Sequence, residues 1–178
     1  MTFLNPEPVS LRQWGVYRKV AGAVASGAYG ELCSLRWSWL SPGGDAALLY
    51  SGVLAHLLEA SRELAGGRLE RLHLEPAETV PACFALAAFE GGVVAEVEIH
   101  EALPPSAPAV RFLLADFTGG RVTNRPLVGH HHGEGAFLAT GEGAEALLFE
   151  PMPAVKRPLE DGEIQRMIAA ALGGGRGA

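Results

Sequence analysis

Hydrophobic residues recur at helical spacing from Leu48 to Gly67, where Leu49, Val53, Leu57, Ala60 and Leu64 form one stripe that Leu54 and Leu58 widen. Steps of three and four put these side chains on one face of a helix. Glu59, Arg62 and Glu63 fall off that face, Asp45 stands where it can cap the start, and Gly66–Gly67 suits the C-terminus. A second helical pattern covers Leu11–Ser26, with Ser10 placed as its cap, Gly27 just past its end, and Trp14, Val16, Tyr17, Val20 and Val24 as its packing face. Leu159–Leu172 reads as a closing helix, and residues 173–178 as a frayed, disordered tail.

Between these stretches the period drops to two. Glu31–Leu40 alternates, with Cys33, Leu35, Trp37 and Trp39 on one side and Ser34, Arg36 and Ser38 on the other. Further strands are expected at Arg68–Glu75, Ala82–Glu90, Val93–Glu101, Ala109–Phe117, Arg121–Val128, Ala136–Thr140 and Glu145–Phe149. The glycine pairs of Glu90-Gly-Gly92 and Thr118-Gly-Gly120 mark hairpin turns, because such turns demand positive φ. Short turns between successive strands predict an antiparallel meander. The fold class is therefore α+β: a mostly antiparallel open sheet covered on one face by two or three helices, with residues 1–178 as a single domain. Ala82–Phe89 and Val110–Phe117 are apolar on both sides, so the uncovered face needs a second cover. Pairing with another copy is the simplest, and a homodimer through the sheet face is expected.

Composition narrows the function classes. A chain of 178 residues, nearly half of them hydrophobic, can bury its own core. No run of apolar residues reaches the ~18–20 needed to cross a membrane. The opening MTFLNPEPVS has neither a basic cluster nor an apolar core, so a signal peptide is not expected and a cytoplasmic location is. The net charge of −6, with basic residues scattered apart from Arg18–Lys19 and Lys156–Arg157, argues against a nucleic-acid partner. Cys33 and Cys83 lie among apolar residues and read as two small buried thiols.

Chemistry-bearing residues are few. His56 interrupts the apolar first half of the central helix and is the candidate catalytic residue, with Tyr50 nearby as a candidate substrate-binding partner. Its plain alternative is a core histidine bonded to a backbone carbonyl. His130-His131-His132 with Glu134 is the second cluster, and in an extended chain His130, His132 and Glu134 share a side. Flanking glycines favour a solvated loop first, a ligand-lining loop second (His130 and His132 as substrate-binding candidates) and a metal site third. No metal and no cofactor are expected. Gly141-Glu-Gly143-Ala-Glu-Ala146 matches a dinucleotide fingerprint in form, but Pro151 follows closely and two glutamates would repel a pyrophosphate. It reads as a hairpin turn.

The elements in this order resemble the C-terminal domain of the glucose–fructose oxidoreductase, inositol dehydrogenase and MocA (Gfo/Idh/MocA) family. VASGAYGELCSLRW (Val24–Trp37) resembles the family's helix end and following strand. LLYSGVLAHLLEASRELAGG (Leu48–Gly67) resembles its Asp-x-x-x-His helix ending in a glycine pair. The resemblance puts His56 at the histidine position, Glu59 where an acid is common, and Gly52 where the family has Asp. It implies a preceding Rossmann domain whose Glu-Lys-Pro motif supplies a catalytic Lys, and only ten residues stand before the first expected helix. The expectation is thus a domain that has lost its cofactor-binding half and is no dehydrogenase by itself. It would serve as a dimerisation or small-molecule-binding module, with a sugar or polyol as ligand, or as a substrate-binding subunit completed in trans by a separate Rossmann protein.

Overall fold

The computed structural model describes residues 10–42, 47–124, 137–140, 143–146, 153–155, 157–159 and 162–174. Within them the chain forms an eight-stranded sheet and three α-helices. The first helical stretch is divided: a 3-10 turn, Leu11–Gln13, gives way at Trp14 (ψ 132°) to α1, Gly15–Ser26. Gln13 Oε1 reaches back to the Ser10 N–H at 3.3 Å, which closes the turn on itself. Trp14 then turns out of helical geometry and inserts into the core. Gly27 ends α1 at φ 63°, the left-handed cap that glycine adopts without strain. Val24, expected inside, is 37% exposed near that end.

The central element is also composite. Leu49–Leu54 forms a wider π turn that runs into α2, Ala55–Ala65, closed by Gly66 at φ 70°. Every residue of the expected stripe is buried, Leu54, Leu57 and Leu58 completely. The closing helix, α3, spans Glu163–Gly174, beginning later than the pattern suggests: Leu159 lies in a strap ahead of it, its N–H bonded to the Ser51 carbonyl. It continues to Gly174, into the stretch expected to fray.

The strands are β1 Leu32–Pro42, β2 Leu69–Pro76, β3 Ala82–Phe89, β4 Val94–Leu103, β5 Val110–Phe117, β6 Gly120–Thr123, β7 Phe137–Thr140 and β8 Gly143–Ala146, in the order β2-β3-β4-β1-β5-β6-β7-β8. An uninterrupted meander is overturned. β1 lies between β4 and β5, parallel to the first and antiparallel to the second. The link from Leu103 to Val110 carries Pro104, Pro105 and Pro108, too long and stiff for a hairpin, and it steps across the end of β1. Tight hairpins survive elsewhere. Gly91 and Gly92 have φ of 91° and 89°. Gly119 has no positive φ: a Cβ there would come within 3.1 Å of the Tyr29 carbonyl oxygen, so close approach is its reason. Thr140 pairs with Gly143, so the fingerprint-like segment begins a hairpin strand, as its sequence indicates.

The helices cover one sheet face. Leu35, Trp37 and Trp39 of β1, Ala95, Val97 and Ile99 of β4, Ala85, Ala87 and Phe89 of β3, and Leu113 and Ala115 of β5 are buried beneath them. Trp37 Nε1 donates to Ser61 Oγ at 2.8 Å, and Ser61 donates on to the Leu57 carbonyl, so the indole is satisfied inside the core. Cys83 is buried, its thiol pushed up to about 12 by desolvation. Cys33 is exposed, contrary to its apolar setting. It sits at a register irregularity between Leu32 and Ser34, before the strand reaches its parallel partner.

Candidate functional site

α2 places His56 half-buried one residue into its first regular turn. Its Nε2 lies 3.1 Å from the carbonyl oxygen of Arg157. A carbonyl only accepts, so Nε2 carries the hydrogen, and in the neutral ring Nδ1 holds the lone pair. The strap bearing Arg157 is tied down beside it. The Ser51 carbonyl accepts from the Leu159 N–H at 2.7 Å and from Gln165 Nε2 at 2.9 Å. Thus α3 and the π turn together fix the backbone on which His56 leans.

Next to this contact lies a cavity of about 220 Å³ lined by Ser10, Arg12, His56, Glu59, Val155 and Arg157, among others. Its carboxylate is neutralised: Glu59 accepts from Arg62 Nη2 at 2.6 Å and from Nε at 3.0 Å. Arg12 grips Glu63 with Nε at 3.0 Å and with Nη2, and Tyr17 donates to the same carboxylate at 2.9 Å. The Arg12 hydrogen bond holds the Glu63 carboxyl below the usual carboxylate range, while burial and the Glu63 contact push the Tyr17 phenol up. These bonds clamp the entrance of α1 to α2.

Gly52, at the position where the resembling family has Asp, is buried. A Cβ there would stand 3.1 Å from Leu48 Cβ and 3.6 Å from Val155 Cγ1. Even the first carbon of a side chain there would meet the chain's own aliphatic groups. Tyr50 is half-buried on the π turn, its phenol raised by burial and by the nearby Cys83, and it does not line the cavity. His130, His132 and Glu134 lie outside the described residues. Among the described residues no three His, Cys, Asp or Glu side chains are grouped to hold a metal.

Sequence reading located His56 and Glu59 but missed Arg12 and Arg157, which come from the two ends of the chain. It also missed Arg111, whose guanidinium carbon lies 3.9 Å from the centre of the Trp39 ring. Arg111 donates to the Val110 carbonyl at 2.9 Å, to the Leu40 carbonyl and to Ser41 Oγ, and Ser41 donates to Glu101 at 3.4 Å.

No family model and no curated protein matches the chain. Solved structures do. An oxidoreductase from Agrobacterium radiobacter, in complex with NAD+, L-tartaric acid and magnesium, superposes with a TM-score of 0.61 at 19% identity over 90% of this chain. The fold is that of a Gfo/Idh/MocA-type oxidoreductase domain. The myo-inositol dehydrogenase from Lactobacillus casei, with NAD(H) and myo-inositol, gives 0.59 at 15% identity over 90% of this chain. A levoglucosan dehydrogenase with NADH and L-sorbose gives 0.56 at 15% identity over 88%. The chain spans 50%, 56% and 53% of the length of these three proteins, about half. Among the described residues, Gly143–Ala146, part of the segment that matches a dinucleotide fingerprint in form, is a strand paired with β7 and not the start of a helix. No helix among them is long and apolar enough to cross a membrane.

Proposed function

We propose that this chain is a small-molecule-binding module that holds a sugar- or polyol-sized ligand in the His56 cavity and performs no hydride transfer by itself. The make-up of the cavity carries the reading. An imidazole, a carboxylate and two guanidinium groups surround about 220 Å³, less than the ~300–1,000 Å³ typical of drug-sized sites and suited to a monosaccharide-sized compound. Hydroxyl groups both donate and accept, so they complement that mixture. Against turnover at His56 stand two facts. Its Nε2 is engaged by the Arg157 carbonyl, and Gly52 offers no acid to orient the ring, which a general acid–base histidine needs. The sugar and inositol ligands of the neighbouring structures favour the same ligand class.

Calorimetric titration with myo-inositol, L-sorbose and glucitol tests it, repeated on His56→Ala. Saturable binding that the substitution abolishes is expected, and silence with every compound ends the reading. Saturable binding of NAD or NADP would overturn its non-catalytic part.

A second reading is a substrate-binding subunit completed in trans by a separate Rossmann protein. The exposure of Arg12 and Arg157 at the mouth of the cavity favours it, since another protein could close that side. Purification from native cells with no nucleotide-binding companion would sink it. For the other surface, the open face of β3 exposes Phe84 and Leu86 at 39% and 41%, which supports pairing with a second copy. Light scattering at micromolar concentration should return twice the chain mass.

A further inference from the structure

Resting on the ligand-binding reading above, we infer that the His56 cavity selects an oxyanion-bearing ligand, a polyhydroxy carboxylate or a phosphorylated polyol, and that Arg157 is the residue that recognises the anion.

Charge bookkeeping around the cavity leads there. Glu59 is matched by Arg62 and Glu63 by Arg12, each through two hydrogen bonds. Arg157 brings a further guanidinium, exposed and with no ion-pair partner among the described residues. The lining residues and their partners therefore hold one positive charge in excess, on a chain whose net charge is −6. A local cationic site on an acidic protein is where an anionic metabolite is drawn against the general field.

Position supports the assignment as well as charge. The Arg157 carbonyl is bonded to His56, and the next-but-one residue, Leu159, is bonded to Ser51. The backbone of the guanidinium is thus pinned at the cavity wall while its side chain stays available. Lysine would supply a point charge; arginine supplies a planar fork that matches both oxygens of a carboxylate or phosphate. His56 is then a positioning residue for Arg157, which gives its hydrogen bond a purpose other than proton transfer.

The test uses matched probes on the full chain: D-gluconate, its neutral counterpart D-glucitol, and glucitol 6-phosphate, with affinities measured by calorimetry at low salt. The two anions should bind about tenfold or more tightly than glucitol, the size of one charge-assisted hydrogen bond pair. Whichever anion is tighter tells carboxylate from phosphate. Arg157→Gln should bring all three to the glucitol value without altering the melting temperature. Arg36→Gln, which removes the same charge from the far sheet face, should leave the preference intact. Equal binding of gluconate and glucitol, or a preference that survives Arg157→Gln, overturns the inference while leaving the ligand-binding reading standing. A preference lost equally in Arg36→Gln also overturns it, because the whole field would then be the cause. If no probe binds, both fall.

Discussion

Arg111 and Arg36 stand on opposite faces of the same sheet, on neighbouring strands, and live in different solvents. On the helix-covered face, half-buried Arg111 lies on the Trp39 ring with its fork bonded to two carbonyls and Ser41, and its Nε has no hydrogen-bond partner among the described residues. Burial lowers its pKa to about 10 against the opposing pull of Glu101. On the open face Arg36 reaches Glu96 at 2.6 Å with both side chains well exposed. A charge withdrawn from water depends on every partner it keeps, whereas a charge left in water hardly notices the loss of one.

The contrast is sharpest at Arg111. Arg111→Ala should destabilise the chain by about 3 kcal/mol, because it removes a half-buried cation from its carbonyls, Ser41 and the field of Glu101. Urea unfolding would show the midpoint fall. A loss below about 1 kcal/mol, the range of a surface pair, would erase the difference between the faces.

Gly52→Asp probes the same covered side beside the candidate site. The new Cβ meets Leu48 at 3.1 Å, and the carboxylate enters aliphatic surroundings. Restoring the residue that the family resemblance implies should therefore destabilise by about 2 kcal/mol, from crowding and desolvation together. If the variant melts at the wild-type temperature, the site has kept room for an acid and the packing described here is wrong.

These two positions also show what sequence could and could not supply. Period-two alternation reveals which face of a strand is buried, so the burial of Leu35, Trp37 and Trp39 was legible. It does not reveal which strand lies beside which, and the parallel pairing of β1 with β4 was missed for that reason. Arg111 sits in VRFLLADF, a run that reads as apolar on both sides, and nothing in it marks the arginine as inward. His56 was legible because it breaks a stripe. Arg12 and Arg157 were not, since they join the lining of the His56 cavity from a 3-10 turn and from a strap 101 residues beyond His56 in the chain. The cavity is a product of tertiary packing, which local pattern does not encode.

The seam between α1 and α2 lies between the two extremes, partly shielded. Glu63 is held below its usual value of 4.5, first by Arg12 and then by Tyr17. A depressed folded-state carboxyl contributes stability that is complete above the unfolded value and drains away as pH falls through the folded one. The melting temperature of the wild type should accordingly drop on acidification below about pH 4.5, and Glu63→Gln should flatten part of that limb while lowering the plateau at neutral pH. Parallel curves for the two proteins from pH 3 to 7 would show that the clamp contributes nothing.

Arg36→Gln is expected to have the smallest effect and to sharpen the contrast most. In an isolated chain the Arg36–Glu96 pair lies in water, so its loss should change stability by under about 1 kcal/mol, and by less still at high salt. That figure holds only while the face is wet. Phe84 opposes Glu98 across the β3–β4 register, and Leu86 opposes Glu96, so a second copy covering these apolar side chains would also cover the ion pair. Removing one partner would then leave Glu96 buried without its cation, and the loss would grow with protein concentration. Melting Arg36→Gln at nanomolar and at high micromolar concentration therefore reads the state of the face directly. A constant small difference keeps it in solvent. A difference that widens with concentration makes the open face the inside of a dimer and gives Arg36 the same dependence on its partner that Arg111 has on the covered side.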